Sequence, residues 1–221
     1  MTIKIIAGDF KRKTLKKISR NIDVRPILAR VRKSLFDILK PRLDDCKFLD
    51  LFAGSGAVGI EALSRGAKLA VFVDGNRACI HLIKQNLEAL GATGRSKVTQ
   101  TDITQGLDWL RYKALSPFDI IFMGPPYPEN LVTKTLKLVG QADILNPDGW
   151  IIAQHHKKEQ IEPYKFEMFR QKFYGDTVLS FFRRPVPVPD EALTDSPPTS
   201  PEDFFGRGEK QAPNEGESND N

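Results

Sequence analysis

The sequence contains few of the residues that build disulfide frameworks or metal centres. Cys46 and Cys79 are the only cysteines among 221 residues, and there are three histidines. Two cysteines without an export signal favour reduced thiols in the cytoplasm over a disulfide. No cluster of cysteine and histidine has the spacing of a zinc site, so we expect no bound metal.

Long apolar runs are also missing from the sequence. No stretch of about 18 apolar residues is present that could form a transmembrane helix, and the first residues lack the apolar core of a signal peptide. Hydrophobic residues nevertheless make up 40% of the chain and charged residues 28%, which is typical of a globular domain with its own core. We expect a cytoplasmic protein with no membrane partner, and we take it to be a monomer.

Acidic residues are scarce at the start of the chain, and basic residues are scarce at its end. Residues 1–47 hold fourteen Lys or Arg against five Asp or Glu, a net charge of +9. A basic region on a folded domain is typical of a protein with a polyanionic partner such as nucleic acid. Residues 185–221 hold two basic and nine acidic residues and are rich in Pro and Ser, so we expect a disordered acidic tail there.

The rest of the chain divides into a basic arm at 1–24, which we expect to form a small hairpin, and a domain at 25–184. Strand-like and helix-like segments alternate along this domain, which predicts an α/β fold with a mostly parallel seven-stranded sheet and a closing antiparallel hairpin. The predicted strands lie at about 47–52, 69–73, 97–101, 118–123, 149–153, 165–174 and 177–184. The predicted helices lie at about 27–40, 57–65, 76–90, 104–112 and 129–140.

A glycine-rich turn follows the first strand of this domain. Gly54, Gly56 and Gly59 have the G-x-G-x-x-G spacing of nucleotide-binding turns, and Asp50 stands four positions before the first of them. Glycines let the backbone approach a ligand closely. A carboxylate beside the turn repels a pyrophosphate but pairs with the ammonium of an aminoacyl group. This favours S-adenosylmethionine (SAM) over NAD, although an ordinary tight strand-to-helix turn has the same spacing.

Acidic residues also follow the second and third predicted strands, at the edge where parallel sheets bind ligands. Asp74 ends the second strand. It suits the two ribose hydroxyls of an adenosine, and it is also a good helix N-cap. Asp102 follows the third strand, where it would accept a hydrogen bond from an adenine amino group or cap the next helix.

A proline loop, Gly124-Pro125-Pro126-Tyr127, follows the fourth predicted strand. The prolines have no N–H group, so the loop offers carbonyl acceptors without competing donors. Tyr127 can stack on a planar base. Acceptors beside a stacking ring suit a target with an exocyclic amine. A simple proline turn with a surface tyrosine is the alternative.

The chain resembles the RsmD-type 16S rRNA guanine-N2 methyltransferases of bacteria over about residues 3–184. The resemblance rests on RP at 25–26, RVRKSLF at 30–36, FLDLFAGSG at 48–56, GIEALSRGA at 59–67 and PPY at 125–127. It implies a Rossmann-like SAM-dependent methyltransferase fold with a small basic N-terminal extension. It also implies methylation of one guanine in 16S rRNA, within the 30S subunit or its assembly intermediate.

The resemblance assigns roles to residues of this sequence. Asp50 and the loop from Phe52 through Ala53, Gly54, Ser55 and Gly56 would hold the methionine part of SAM, and Gly59 completes that motif. Asp74 would hold the ribose and Asp102 the adenine, while Tyr127 would stack on the flipped guanine. The residues expected to face RNA are Arg12, Lys13, Arg25, Arg30, Arg32 and Lys33.

One departure from the family lies in the catalytic tetrapeptide. Family members usually begin it with Asp or Asn, whereas this chain has Gly124. The side-chain acceptor for the target amine is therefore absent, and the carbonyls of Gly124 and Pro125 remain. Two alternatives stay open from the sequence: an RNA- or ribosome-binding homologue with weakened catalysis, and a nucleic-acid methyltransferase that acts on adenine N6.

Overall fold

The computed structural model describes residues 3–16, 27–126 and 130–186. Residues Met1–Pro185 belong to one compact unit. Its strands are β1 (Ile3–Lys4), β2 (Thr14–Leu15), β3 (Lys47–Leu51), β4 (Leu69–Asp74), β5 (Ser96–Gln100), β6 (Phe118–Met123), β7 (Leu145–His156), β8 (Glu167–Tyr174) and β9 (Thr177–Arg183). Its α-helices are α1 (Ala29–Leu39), α2 (Ala57–Ser64), α3 (Arg77–Ala89), α4 (Trp109–Tyr112) and α5 (Leu131–Ala142). None of the helices described is long and apolar enough to cross a membrane.

Seven strands form one sheet in the order β5-β4-β3-β6-β7-β9-β8. The five strands β5, β4, β3, β6 and β7 are parallel to one another. Strand β9 lies between β7 and β8 and is antiparallel to both. The predicted α/β fold with a closing antiparallel hairpin is confirmed. The chain proceeds outward from β3 through β4 to β5 and then returns to β6 on the other side of β3. This reversal places the switch point of the sheet between β3 and β6, where such folds bind ligands.

Helices cover both faces of the sheet because the central strands are apolar on both sides. One buried cluster joins the sheet to α1, α2 and α3, for example through Phe36, Ile60 and Ile83. A second cluster joins the other face to α4 and α5, for example through Leu110 and Leu136. Successive side chains of a strand point to opposite faces. The strands therefore aim alternate residues at the two helix layers.

Most of the predicted elements lie within two or three residues of their observed bounds, but two predictions were wrong. The helix expected at 104–112 is instead a 3₁₀ turn at Ile103–Gln105 and the short helix α4. Gly106, with φ 109°, separates the two pieces, because this conformation cannot continue a helix. The fifth strand of the domain, expected at 149–153, extends over Leu145–His156, since it pairs with both β6 and β9.

The N-terminal hairpin of β1 and β2 is fixed to α2 by buried polar side chains. Glu61 is fully buried, and its carboxylate accepts the N–H groups of Ile6 at 2.9 Å and Ala7 at 3.0 Å. The Ser64 hydroxyl donates to the carbonyl of Ala7 and accepts from the N–H of Phe10. The described part of the hairpin is therefore held against the domain by these hydrogen bonds.

Candidate active site

The loops that follow β3, β4 and β6 meet at one edge of the sheet, because the carboxyl ends of parallel strands share an edge. The loop after β3 leads into α2 through a conformation that glycines favour. Gly54 and Gly56 have φ of 55° and 75°, and Phe52 has φ of 59°. A positive φ at a bulky residue is strained, and such strain clusters at functional sites. The loop after β3 has three residues of positive φ beside the predicted site residues.

Gly59 serves the packing of α2 rather than the curvature of the loop. A Cβ at this position would lie 2.3 Å from Cε1 of Phe72 on β4. Only glycine lets the helix pack this close to the sheet. The close packing also brings the backbone N–H of Gly59 to Oδ2 of Asp50, at 2.9 Å.

Asp50 is a buried acid whose carboxylate lies beneath the glycine loop. The residue is 1% exposed. Burial raises its pKa to about 8, the hydrogen bond from Gly59 lowers the pKa in part, and the nearby charge of Asp74 raises it further. A cationic group beside this carboxylate would offset the cost of burying its charge. The position is therefore suited to the ammonium of an aminoacyl ligand.

Asp74 ends β4 and is held against the same loop. Its Oδ2 accepts the N–H of Gly54 at 2.8 Å, and its Oδ1 accepts the N–H of Asn76 at 2.8 Å. The alternative that Asp74 caps the next helix was wrong, because the side chain of Asn76 caps α3 through the N–H of Ala78. The Asp74 carboxylate is thus fixed by the glycine loop, and its contact with a ribose stays a prediction.

Asp102 caps the 3₁₀ turn that follows β5. Its Oδ1 accepts the N–H of Thr104 at 2.9 Å and the Thr104 hydroxyl at 2.7 Å. These hydrogen bonds lower the pKa of Asp102. The capping alternative is confirmed, and contact with an adenine stays a prediction.

The proline loop after β6 is described as far as Pro126, and Tyr127 lies outside the described residues. Gly124 is half-buried, Pro125 is buried and Pro126 is exposed. The N–H of Gly124 donates to the carbonyl of Leu51 at 3.4 Å. This bond ties the start of the proline loop to the end of β3, beside the glycine loop.

The residues expected to face RNA do not behave alike. Arg12, Lys13, Arg30 and Lys33 are exposed, while Arg25 lies outside the described residues. Lys33 pairs with Asp37 at 2.7 Å on the surface of α1. The assignment of Arg32 was wrong. Its side chain is 2% exposed, one of its amino groups donates to the carbonyl of Lys4, and its Nε lies 3.8 Å from a Glu61 carboxylate oxygen.

Sequence reasoning missed Asn86, a buried amide on α3 that touches both the arm and the glycine loop. Its Oδ1 accepts the N–H of Lys16 at 2.8 Å, and its Nδ2 lies 3.5 Å from the carbonyls of Lys16 and Ser55. The signal was present in the sequence. Asn86 follows Ile83 by three positions, which places a polar residue on the apolar stripe of α3.

Within the described residues, no group of acidic, histidine or cysteine side chains could hold a metal ion.

Comparisons with known proteins point to one family. The profile of the family described as "Conserved hypothetical protein 95" matches residues 3–183. The protein "Ribosomal RNA small subunit methyltransferase D" of Escherichia coli K12 is 31% identical over 190 residues, which cover 82% of this chain and 90% of that protein.

Two solved structures share the fold. The structure of yhhF from Escherichia coli superposes with a TM-score of 0.71 at 28% identity, covering 83% of this chain and 98% of that one. An RNA methyltransferase from Salinibacter ruber, solved in complex with S-adenosyl-L-homocysteine, superposes with a TM-score of 0.58 over 75% of this chain and 97% of that one. At 13% identity, this second likeness shows the fold alone.

Proposed function

The chain belongs to the family described as "Conserved hypothetical protein 95", and from that premise we propose that it transfers a methyl group from SAM to the exocyclic N2 amine of a guanine in 16S rRNA. It is a SAM-dependent rRNA methyltransferase by this membership and by its similarity to small subunit methyltransferase D. The choice of guanine and of N2, the 30S subunit as substrate, the monomeric state and the cytoplasmic location are parts of the proposal.

The observation that carries the proposal is the pair of carboxylates around the glycine loop. The buried Asp50 side chain has one backbone donor, from Gly59, and its ionised form would be stabilised by a cation beside it. The Asp74 carboxylate is aligned by Gly54 at 2.8 Å, where it would accept from ribose hydroxyls. These residues fit SAM, with Asp50 at its ammonium, the loop of Gly54 and Gly56 along its methionine part, and Asp74 at its ribose.

When bound, SAM supplies a methyl group on a positively charged sulfur, which the target amine takes as the methyl–sulfur bond breaks and the amine loses a proton to water. The protein mainly positions the two partners for this step. We infer that the carbonyls of Gly124 and Pro125 accept hydrogen bonds from the target amine. Such bonds orient its lone pair toward the methyl group. We further infer that Tyr127 stacks on the flipped base.

The charge of the chain supports a polyanionic substrate. Arg12 and Lys13 on the hairpin, and Arg30 and Lys33 on α1, are exposed cations. Lysine and arginine contacts to phosphates supply most of the non-specific affinity for nucleic acid. Because the hairpin is anchored on α2, the helix that begins at the glycine loop, Arg12 and Lys13 lie on a segment that is held close to the proposed methyl donor.

The test is transfer of a labelled methyl group from SAM to 30S subunits purified from cells that lack any such enzyme. We expect label in N2-methylguanosine after digestion to nucleosides, and no label in 50S subunits or duplex DNA. Asp50→Ala serves as the cofactor-binding control and should abolish transfer. Label in N6-methyladenosine would show that adenine, and not guanine, is the target. SAM binding without transfer to any RNA would overturn the proposal.

A further inference from the structure

Gly124 is not required by the backbone of the proline loop. Its φ lies outside the left-handed region that favours glycine, and a Cβ at this position would lie 3.4 Å from Cε1 of Phe122, which is an ordinary contact. The fold therefore has room for a side chain at the position where related enzymes carry a polar acceptor. Glycine at this position thus removes a side-chain acceptor without being needed for the backbone conformation.

The side chain nearest to the missing one on the neighbouring strand belongs to Gln154. Met123 on β6 pairs with Ala153 on β7 in parallel register, so the next residues, Gly124 just after β6 and Gln154 within β7, lie side by side. The Cβ of Gln154 lies 4.0 Å from the position of a Cβ on Gly124. Neighbouring residues of paired strands point to the same face. The Gln154 side chain thus starts beside the side chain that an acceptor at 124 would have.

The amide of Gln154 is available for a ligand. The residue is half-buried, and across the residues that the structure describes its side chain makes no hydrogen bond, in contrast to the amides of Asn86 and Gln171, which do. Gln154 is not among the described side chains with a buried, unpartnered polar atom, so its amide is open to solvent. A ligand at the proline loop can therefore take the place of water on this amide.

We propose that Oε1 of Gln154 accepts a hydrogen bond from the exocyclic amine of the target base and so replaces the side-chain acceptor that Gly124 lacks. This role rests on the proposed function. A glutamine side chain is one methylene longer than an aspartate, which lets an amide rooted on β7 reach the place of a carboxylate rooted at the end of β6. The acceptor is neutral, so it does not add a titrating group to the site.

The acceptor matters most in the transition state. The amine nitrogen acquires positive charge as it bonds to the methyl carbon, which strengthens the hydrogen bonds that its hydrogens donate. Removing a hydrogen bond to such a charged group slows the step roughly 10- to 100-fold. The binding of SAM, which depends on Asp50 and the glycine loop, should not change.

The test compares Gln154→Leu, Gln154→Glu and Gln171→Leu with the wild type in methyl transfer to 30S subunits, with SAM affinity measured separately by calorimetry. Gln154→Leu should lower kcat roughly 10- to 100-fold with an unchanged Kd for SAM. Gln154→Glu keeps an acceptor and should retain transfer, with a new acidic limb in its pH profile. Gln171→Leu removes a glutamine that binds Ser180 on the same hairpin and should behave as wild type.

Rescue separates an acceptor from a structural residue. Adding Gly124→Asp to Gln154→Leu should restore most of the lost kcat, because a Cβ at 124 makes only ordinary contacts and the added carboxylate is a substitute acceptor. Wild-type kcat in Gln154→Leu, or a loss that Gly124→Asp does not recover, would overturn the role of Gln154 and leave the proposed function standing. Absence of transfer by the wild type, with SAM bound, would instead overturn the proposed function.

Discussion

Binding of SAM should release a proton from Asp50 at neutral pH. Burial raises the pKa of its carboxyl group to about 8, so at pH 7 this group is about 0.9 protonated by the usual titration relation. An ammonium beside the carboxylate favours the ionised form and moves the pKa well below 7. The complex therefore forms with loss of about 0.9 proton from Asp50 at pH 7.

The ligand contributes a proton change of the opposite sign. Its α-amino group, with a pKa of about 7.7–8.0, must be protonated to pair with Asp50, and it takes up about 0.1 proton at pH 7. The net release at pH 7 is then about 0.8 proton. At pH 9 Asp50 is already ionised and the amine is mostly neutral, so binding takes up about 0.8 proton. The proton change thus reverses sign near pH 8.

The assay is titration calorimetry in two buffers of different ionisation enthalpy, such as phosphate and Tris, at pH 7 and pH 9. The slope of the observed enthalpy against the buffer ionisation enthalpy gives the number of protons exchanged. Asp50→Asn has no titrating group at this position, so the weaker binding that it retains should show no proton release at pH 7. Equal slopes for wild type and Asp50→Asn at pH 7 would mean that the carboxylate is ionised in the free protein, and would refute the argument from burial.

Three further predictions concern stability. Because the pKa of Asp50 is raised, the native state binds more protons than the unfolded state between about pH 4 and 8. The unfolding free energy of the free protein should therefore fall as pH rises through this range, by up to about 1.4 kcal/mol per pH unit from this group. Asp50→Asn should remove that slope in urea titrations. Gly59→Ala should destabilise the protein by about 1–3 kcal/mol in chemical denaturation, because the added Cβ collides with the ring of Phe72 on β4. In the control Gly94→Ala, the added Cβ meets nothing within 4 Å, so its stability should stay within about 0.5 kcal/mol of wild type. Equal losses of stability in the two variants would contradict the packing argument. Arg32→Leu should cost about 1–3 kcal/mol because the partly buried carbonyl of Lys4 loses its donor, while Glu61 keeps its other partners. Arg30→Ala should leave the denaturation midpoint unchanged and weaken RNA binding with a smaller salt dependence. The reverse pattern would restore Arg32 to the RNA surface.

The fold could be predicted because its elements carry local signals. Strands buried on both faces read as continuous apolar runs, and the glycines at 66 and 91 follow the ends of α2 and α3. The helix predicted at 104–112 was wrong because the local signal in this segment is misleading. Its composition suits a helix, but Gly106 adopts φ of 109° and breaks the segment. Such a conformation depends on the packing around it, which the helical pattern does not contain.

The candidate site could be predicted in part for a similar reason. Asp50, Asp74 and the glycines lie at strand ends, and the carboxyl edge of a parallel sheet brings such residues together whatever the details of packing. Arg32 could not be placed by the same logic. The sequence shows a basic helix with three candidate cations, and only the docked hairpin, which buries one of them beside Glu61, distinguishes Arg32 from its exposed neighbours.

The short helix α2 connects the two surfaces that the proposed reaction requires. Its first turn carries Gly59, whose N–H holds Asp50 under the glycine loop. Its second turn carries Glu61 and Ser64, which hold the backbone of the N-terminal hairpin. An α-helix rises about 1.5 Å per residue, so the groups that orient the cofactor loop and those that orient the basic hairpin lie within one rigid element. A domain of this size therefore needs no separate recognition module to keep its basic hairpin at a fixed distance from the methyl donor, because one helix sets that distance.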